Sequence, residues 1–299
     1  MPAQDDKKIP SITTGGTAAA ATESASDILA KLKNRLKRVE IDGETFYLAE
    51  GDMLLDEKDL QIYARQREAL EKEQALKKER ASLGLGDIGG QERTALLGTT
   101  QDGKMVRWKD GMILTYCILK NSFTIGDTEA NYKLVKDNFK LATWAWEGIC
   151  GIKFQHKEEL DTSATLQPDE VTFTVREYNT GGNFIALAFF PTDPKNRRRV
   201  FVDPSYYDPN LPFDRVGVFR HELGHVLGFR HEHIRSGAPP VCPHEDLANT
   251  IEFGAYDPQS VMHYFCGGIG SKELAFTDLD KAGAQKLYGL PLDQYVFVE

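Results

Sequence analysis

Residues 221–231 read His221-Glu222-Leu223-Gly224-His225-Val226-Leu227-Gly228-Phe229-Arg230-His231. Positions i and i+4 share a face of a helix, so the imidazoles of His221 and His225 can reach one ion while Glu222 stands beside them to act on a water. Gly228 suits a left-handed residue that ends the helix and turns the chain until His231 faces the same ion. Three neutral imidazoles leave one coordination position open. That donor set favours zinc, one ion per chain, and Glu222 can take a proton from water and return it to a leaving amine. A bare HExxH pattern also arises by chance on surface helices; the glycine and third histidine at fixed offsets make the pattern far more demanding.

Such a site needs a helix under two of the histidines, and the spacing of Val216, Phe219, Leu223 and Leu227 predicts one from Asp214 to Leu227. Upstream, Arg107-Trp108 and Met112 to Leu119 read as strand, and Asn131 to Gly148 as an amphipathic helix with Leu134, Phe139, Ala142 and Trp146 inward. Short strands rich in β-branched or aromatic residues follow at Gly151–His156, Val171–Val175, Phe184–Phe190 and Arg199–Val202. The first part has another texture. Ser26 to Val39 predicts a short amphipathic helix, Glu44 to Leu55 an extended segment broken by glycine, and Asp56 to Ser82 a long, charged, exposed helix. Glycines 84, 86, 89 and 90 then place a boundary between residues 83 and 100.

The extended motif resembles the zinc motif of the metzincin clan, and Glu232 directly after it resembles the astacin family. Ser260-Val261-Met262-His263-Tyr264 is similar to the astacin Met-turn. The resemblance covers about two thirds of the chain. It implies an α+β catalytic domain with a mixed, mostly parallel sheet, an active-site helix and a Met-turn, preceded by a small, mainly helical propeptide. It places Met262 beneath the metal and makes Tyr264 a switchable zinc ligand that stabilises the tetrahedral intermediate, a role a phenol can fill by donating to an oxyanion. It also implies that Asn183, Phe184, Ile185, Ala186 and Leu187 bind an extended substrate, with packing alone as the other reading. Glu50-Gly51-Asp52 resembles the end of a propeptide motif whose aspartate blocks the zinc, which gives Asp52 that role; Ala49 departs from the motif's phenylalanine. The other reading of Asp52 is a solvated turn residue. Glu232 would anchor an N-terminus freed by cleavage, or form a surface ion pair.

Three units are expected: a flexible tail at 1–25, a latency segment at 26–95 and a catalytic domain at 96–299. The chain has 299 residues, 41% of them hydrophobic, and a formal net charge of -9, which excludes complete disorder and argues against a nucleic-acid partner. No run is apolar enough to span a membrane, and the first thirty residues lack a signal core. Four cysteines, Cys117, Cys150, Cys242 and Cys266, leave open two disulfides or four buried thiols; pairing sequence neighbours is one of three connectivities. His156, His233, His244 and His263 lack ligand spacing and are read as surface or hydrogen-bonded residues.

The combined expectation is a monomeric zinc endopeptidase acting on proteins or peptides and made as a latent zymogen. The alternative is an inactive zinc-binding relative that serves as a binding protein; a closed four-ligand structural zinc site is a third reading. A latent protease with disulfides points outside the cell by a non-classical or specialised export route, and the missing signal core leaves the cytoplasm as the alternative.

Overall fold

The computed structural model describes residues 23–82, 95–235, 237–242 and 250–296. Most of the expected tail and most of the 83–100 boundary lie outside these residues, as does His244. The N-terminal unit runs α1 (Ala25–Arg35), β1 (Lys37–Ile41), β2 (Glu44–Ala49), β3 (Met53–Leu55) and α2 (Glu57–Ser82). The three strands form an antiparallel sheet in the order β1-β2-β3, between two helices that hold most of the unit's described residues, so the segment is mainly helical as expected, with a small sheet added. The predicted first helix stops at Arg35, and Val39 is in β1. The cause is the tight turn at Asp42-Gly43, both in the left-handed region at φ 54° and 81°. Asp-Gly favours that turn, and its twist joins two antiparallel strands.

The body continues with β4 (Leu97–Gln101), β5 (Lys104–Met105), β6 (Ile113–Ile118), α3 (Thr128–Glu147), β7 (Lys153–His156), β8 (Phe173–Glu177), β9 (Ala186–Leu187), β10 (Arg199–Val202), α4 (Arg215–Val226), β11 (Phe229–Arg230), β12 (Thr250–Glu252) and α5 (Asp278–Tyr288). The fold is α+β. Its main sheet has the order β7-β6-β8-β10-β9, parallel throughout except for the edge strand β9. A second sheet places β4 between β11 and β12 and pairs β5 with β4. Arg107-Trp108 is not strand, and the predicted strand over Phe184–Phe190 shrinks to Ala186–Leu187.

The largest core lies where α3 and α4 pack together and against the main sheet. Phe139 meets Phe219 with ring centroids 5.1 Å apart, and Trp146 donates its indole N–H to Arg220 O at 2.9 Å. All four named core positions of α3 face inward, Leu134 only partly buried. Alternate residues of β6 point to opposite faces, which decides the fate of two cysteines. Tyr116 and Ile118 join the helix-side core with Cys150, whereas Cys117 lies with Leu119 and Val171 on the other face. Cys117 and Cys150 are therefore buried free thiols and not a disulfide, while Cys242 is bonded to Cys266.

The N-terminal unit has a small core of its own, Ile28, Leu32, Leu60, Tyr63 and Ala64, between α1 and α2. Its strands share cores with the body: Ile41 and Phe46 pack with Phe184, Leu187 and Phe201, and Ala49 and Met53 with Phe190. Polar contacts border these. Asp42 pairs with Arg176 and, at 3.2 Å, with Arg199; Arg197 pairs with Asp56 and, at 3.2 Å, with Asp59. Among the described residues no helix is long and apolar enough to cross a membrane.

Candidate active site

α4 carries the first two histidines because its start is well defined. Asp214 caps it, accepting from the N–H of Gly217 at 2.6 Å, and burial of Phe219, Leu223 and Val226 fixes its rotation. His221 and His225 consequently share one face. Gly228, at φ 95°, turns the chain into β11, and His231 comes back toward the helix. Beneath α4, Met262 is fully buried, and a Cβ on Gly224 would meet its Sδ at 2.2 Å. Glycine between the two histidines lets the turn carrying Met262 close against the helix.

The three Nε2 atoms converge: His231 Nε2 lies 3.1 Å from that of His225 and 3.2 Å from that of His221. Their Nδ1 atoms face acceptors, Val261 O at 2.7 Å for His221, Phe229 O at 2.8 Å for His225 and a Glu50 carboxylate oxygen at 3.1 Å for His231. An acceptor at Nδ1 keeps the proton there and leaves a lone pair on Nε2. Burial also lowers the pKa of His221, which favours the neutral form. Three lone pairs pointing at one spot repel one another and suit a shared cation. The donor set fits zinc.

Asp52 completes the group. Its carboxylate lies 3.2 Å from His231 Nε2, 3.4 Å from His221 Nε2 and 3.7 Å from His225 Nε2. Among the described residues, the ligand atoms of Asp52, His221, His225 and His231 lie within 4.8 Å of one another. Asp52 is buried, so it is not the solvated turn residue of the alternative reading.

Glu222 sits next to this group, 3% exposed, with Oε2 lacking a hydrogen-bond partner. Burial, and next the Asp52 carboxylate, push its carboxyl well above the usual range. Tyr264 packs at a tilt against His231, with ring centroids 4.3 Å apart, and donates its hydroxyl to the backbone oxygen of Glu50. Phe184, Ile185 and Ala186 line a cavity of about 380 Å³ with His221, Glu222 and Tyr264. Asn183, by contrast, pairs with Lys37 of the N-terminal unit, and Leu187 packs under Ile41 and Phe46.

Glu232 is fully buried rather than on the surface, accepting from Arg235 Nε at 2.7 Å and from the N–H of Asp257 at 3.1 Å. Burial pushes its carboxyl up to about 7. The remaining described histidines stand outside the group: His156 bonds to Asp161, His263 to Tyr256, and His233 stacks on Tyr264. Two residues that sequence reasoning missed are Glu50 and its buried partner Arg230. Neither has diagnostic spacing, although Glu50 directly precedes the Gly-Asp pair.

No protein-family model matches the chain. It is similar to the zinc metalloproteinase nas-3 of Caenorhabditis elegans, 33% identical over 90 residues that cover 27% of this chain and 30% of that one. It is also similar to the zinc metalloproteinase nas-2 of the same organism, 28% identical over 130 residues, 40% of this chain and 43% of that one. The chain thus spans less than half the length of the curated relatives it matches, and both agree with the resemblance carried by the motif. Among solved structures, myroilysin superposes with a TM-score of 0.43 at 17% identity, over 61% of this chain and 95% of that one. The hatching enzyme zinc-protease HCE-1 of Oryzias latipes superposes with a TM-score of 0.35 at 16% identity, over 62% and 94%.

Proposed function

We propose that the chain is an astacin-like zinc metalloendopeptidase, held latent by its own N-terminal unit. Zinc, when bound, supplies the Lewis acidity that polarises a peptide carbonyl and makes water nucleophilic near neutral pH. His221, His225 and His231 hold the ion through Nε2. Glu222 takes the proton of the attacking water at Oε2 and returns it to the leaving amine. Tyr264 donates its hydroxyl to the oxyanion that develops on the carbonyl. The edge strand β9 and the residues before it, Asn183 to Leu187, align an extended peptide.

In the full chain Asp52 occupies the face of the histidines that substrate needs, and β1 and β2 cover part of the substrate strand. Removing the unit opens both. The anchor for the new N-terminus is Glu232: its partner Arg235 also donates to Leu96 O at 3.0 Å, near the start of the described body. The Cys242–Cys266 disulfide together with the latent layout favours a place outside the cell, where we place the chain as a monomer.

The observation that carries this reading is the buried, unpartnered Oε2 of Glu222 beside three convergent imidazoles. A structural zinc site closed by Asp52 has no use for a second carboxylate there, and a binding protein has no need to keep one desolvated. The test combines zinc content with casein hydrolysis, using full-length chain and chain cleaved between residues 82 and 95 and then freed of its N-terminal unit by dilution. The cleaved wild type should bind one zinc and hydrolyse casein, cleaved Glu222→Ala should keep the zinc and lose about 10²-fold or more in rate, and full-length Asp52→Ala should be more active than full-length wild type. Equal hydrolysis by cleaved wild type and Glu222→Ala would sink the mechanism. A full-length wild type as active as the cleaved one would sink the latency.

A further inference from the structure

We propose that Glu50 is a positioning residue of the metal site, through which the N-terminal unit tightens the grip of His231 on the ion; this rests on the zinc reading above. The acceptors for the other two histidines, Val261 O and Phe229 O, belong to the body and stay with it. His231 differs. Its Nδ1 faces a carboxylate 181 residues away in sequence, on the unit that latency requires to be removable.

The local chain is bent to deliver that carboxylate. Glu50 adopts the left-handed region at φ 53°, which for a residue with a side chain costs on the order of 1 kcal/mol, and Gly51 continues the bend at φ 82°. A side chain at 51 would be strained at that φ, and its Cβ would press on the Tyr264 hydroxyl at 2.9 Å. The bend sends the Glu50 backbone oxygen to Tyr264, the Glu50 carboxylate inward to Arg230 and His231, and the Asp52 carboxylate to the Nε2 side of the same histidine. His231 is thereby gripped at both ring nitrogens by residues two apart. The Glu50 side chain is only 2% exposed and is paired with the Arg230 guanidinium, itself 4% exposed.

A carboxylate at Nδ1 makes an imidazole a stronger donor to a metal than a backbone carbonyl does, and loss of such a partner typically weakens metal binding about 10- to 100-fold. The coupling is reciprocal: if the docked unit strengthens metal binding, the metal strengthens docking by the same factor. Release of the unit removes two grips at once, the blocking carboxylate and the orienting one.

Zinc affinity of the full-length chain, measured by competition with a chromogenic chelator, separates these contributions in wild type, Glu50→Ala, Glu50→Gln, Asp52→Ala and the Glu50→Ala/Asp52→Ala double variant. Glu50→Ala should weaken zinc binding about 10- to 100-fold, and Glu50→Gln, whose amide oxygen still accepts from Nδ1, should fall between it and wild type. The same loss should recur when Glu50→Ala is added to Asp52→Ala. Unchanged affinity in the Glu50 variants overturns the proposal. So does a loss that vanishes in the Asp52→Ala background, which would mean that Glu50 serves only to bring Asp52 to the ion. If Glu50→Ala fails to fold by circular dichroism, Glu50→Gln alone and with Asp52→Ala decides by the same criteria. A wild type that binds no zinc would instead defeat the underlying metal reading.

Discussion

Gly224 stands between two metal-binding candidates, and its missing side chain matters as much as theirs. A Cβ there meets Met262 Sδ at 2.2 Å and its methyl at 3.0 Å, far inside ordinary contact. Gly224→Ala should therefore lower stability by about 1–3 kcal/mol despite the better helix propensity of alanine, because the overlap must be relieved by displacing the fully buried Met262 side chain or the turn that carries it. Chemical denaturation checks this; an alanine variant as stable as wild type would show that the turn yields freely. At this scale the site was largely legible in advance. His221, His225 and His231 could be read because metal ligands on a helix and its exit require fixed offsets, and Asp52 through its neighbours in sequence. Glu50 and Arg230 could not, since their pairing depends on a fold that joins positions 180 residues apart.

The elements divide along a similar line. α3 and α4 were readable because a periodic apolar face survives any arrangement of partners; β9 was overextended because aromatic, β-branched runs also suit buried loops. The Asp42-Gly43 hairpin is hard to read in advance because its two strands are short and half exposed, so their apolar alternation is weak and only the turn pair marks them. α5 shows how one residue ties elements together. Asp280 accepts from Ser260 Oγ at 2.6 Å, from the N–H of Val261 at 2.9 Å and from the N–H of Thr277 at 3.0 Å, joining the helix start to the turn that holds Met262. Burial pushes its carboxyl up from 3.8 to about 6. A carboxyl raised in the folded state contributes stability that is full below about pH 4 and is lost as pH rises through about 6. Asp280→Asn turns an amide NH₂ toward buried donors and should destabilise, with a deficit larger at pH 4 than at pH 7 by on the order of 2–3 kcal/mol. Unfolding of both proteins across that range measures it; a pH-independent difference would contradict the assignment.

For the molecule as a whole, the cysteines give a direct check on the arrangement of sheet and helices. Burial pushes the Cys117 and Cys150 thiols up to about 12, so neither should react with a thiol reagent in the native chain, while unfolding without reductant should release two reactive thiols, not zero or four. Zero would restore the pairing of Cys117 with Cys150 that sequence order suggested.

The separate core of the N-terminal unit has a different consequence. Because Ile28, Leu32, Leu60, Tyr63 and Ala64 pack among themselves, the helical pair carries a small core to which the body contributes no residue. While the chain is continuous, the covalent connection keeps such a unit at an effective concentration of about millimolar, whatever the protein concentration outside. Cutting the chain between 82 and 95 abolishes that guarantee without breaking one contact at the site. The cut protein should thus remain blocked in concentrated solution and gain specific activity on dilution, as a bimolecular inhibitor does. A specific activity that is flat across dilution immediately after the cut would show that the unit unfolds or departs at once. On this account the scissile event starts a clock, and the volume into which the protein is released decides when it runs out.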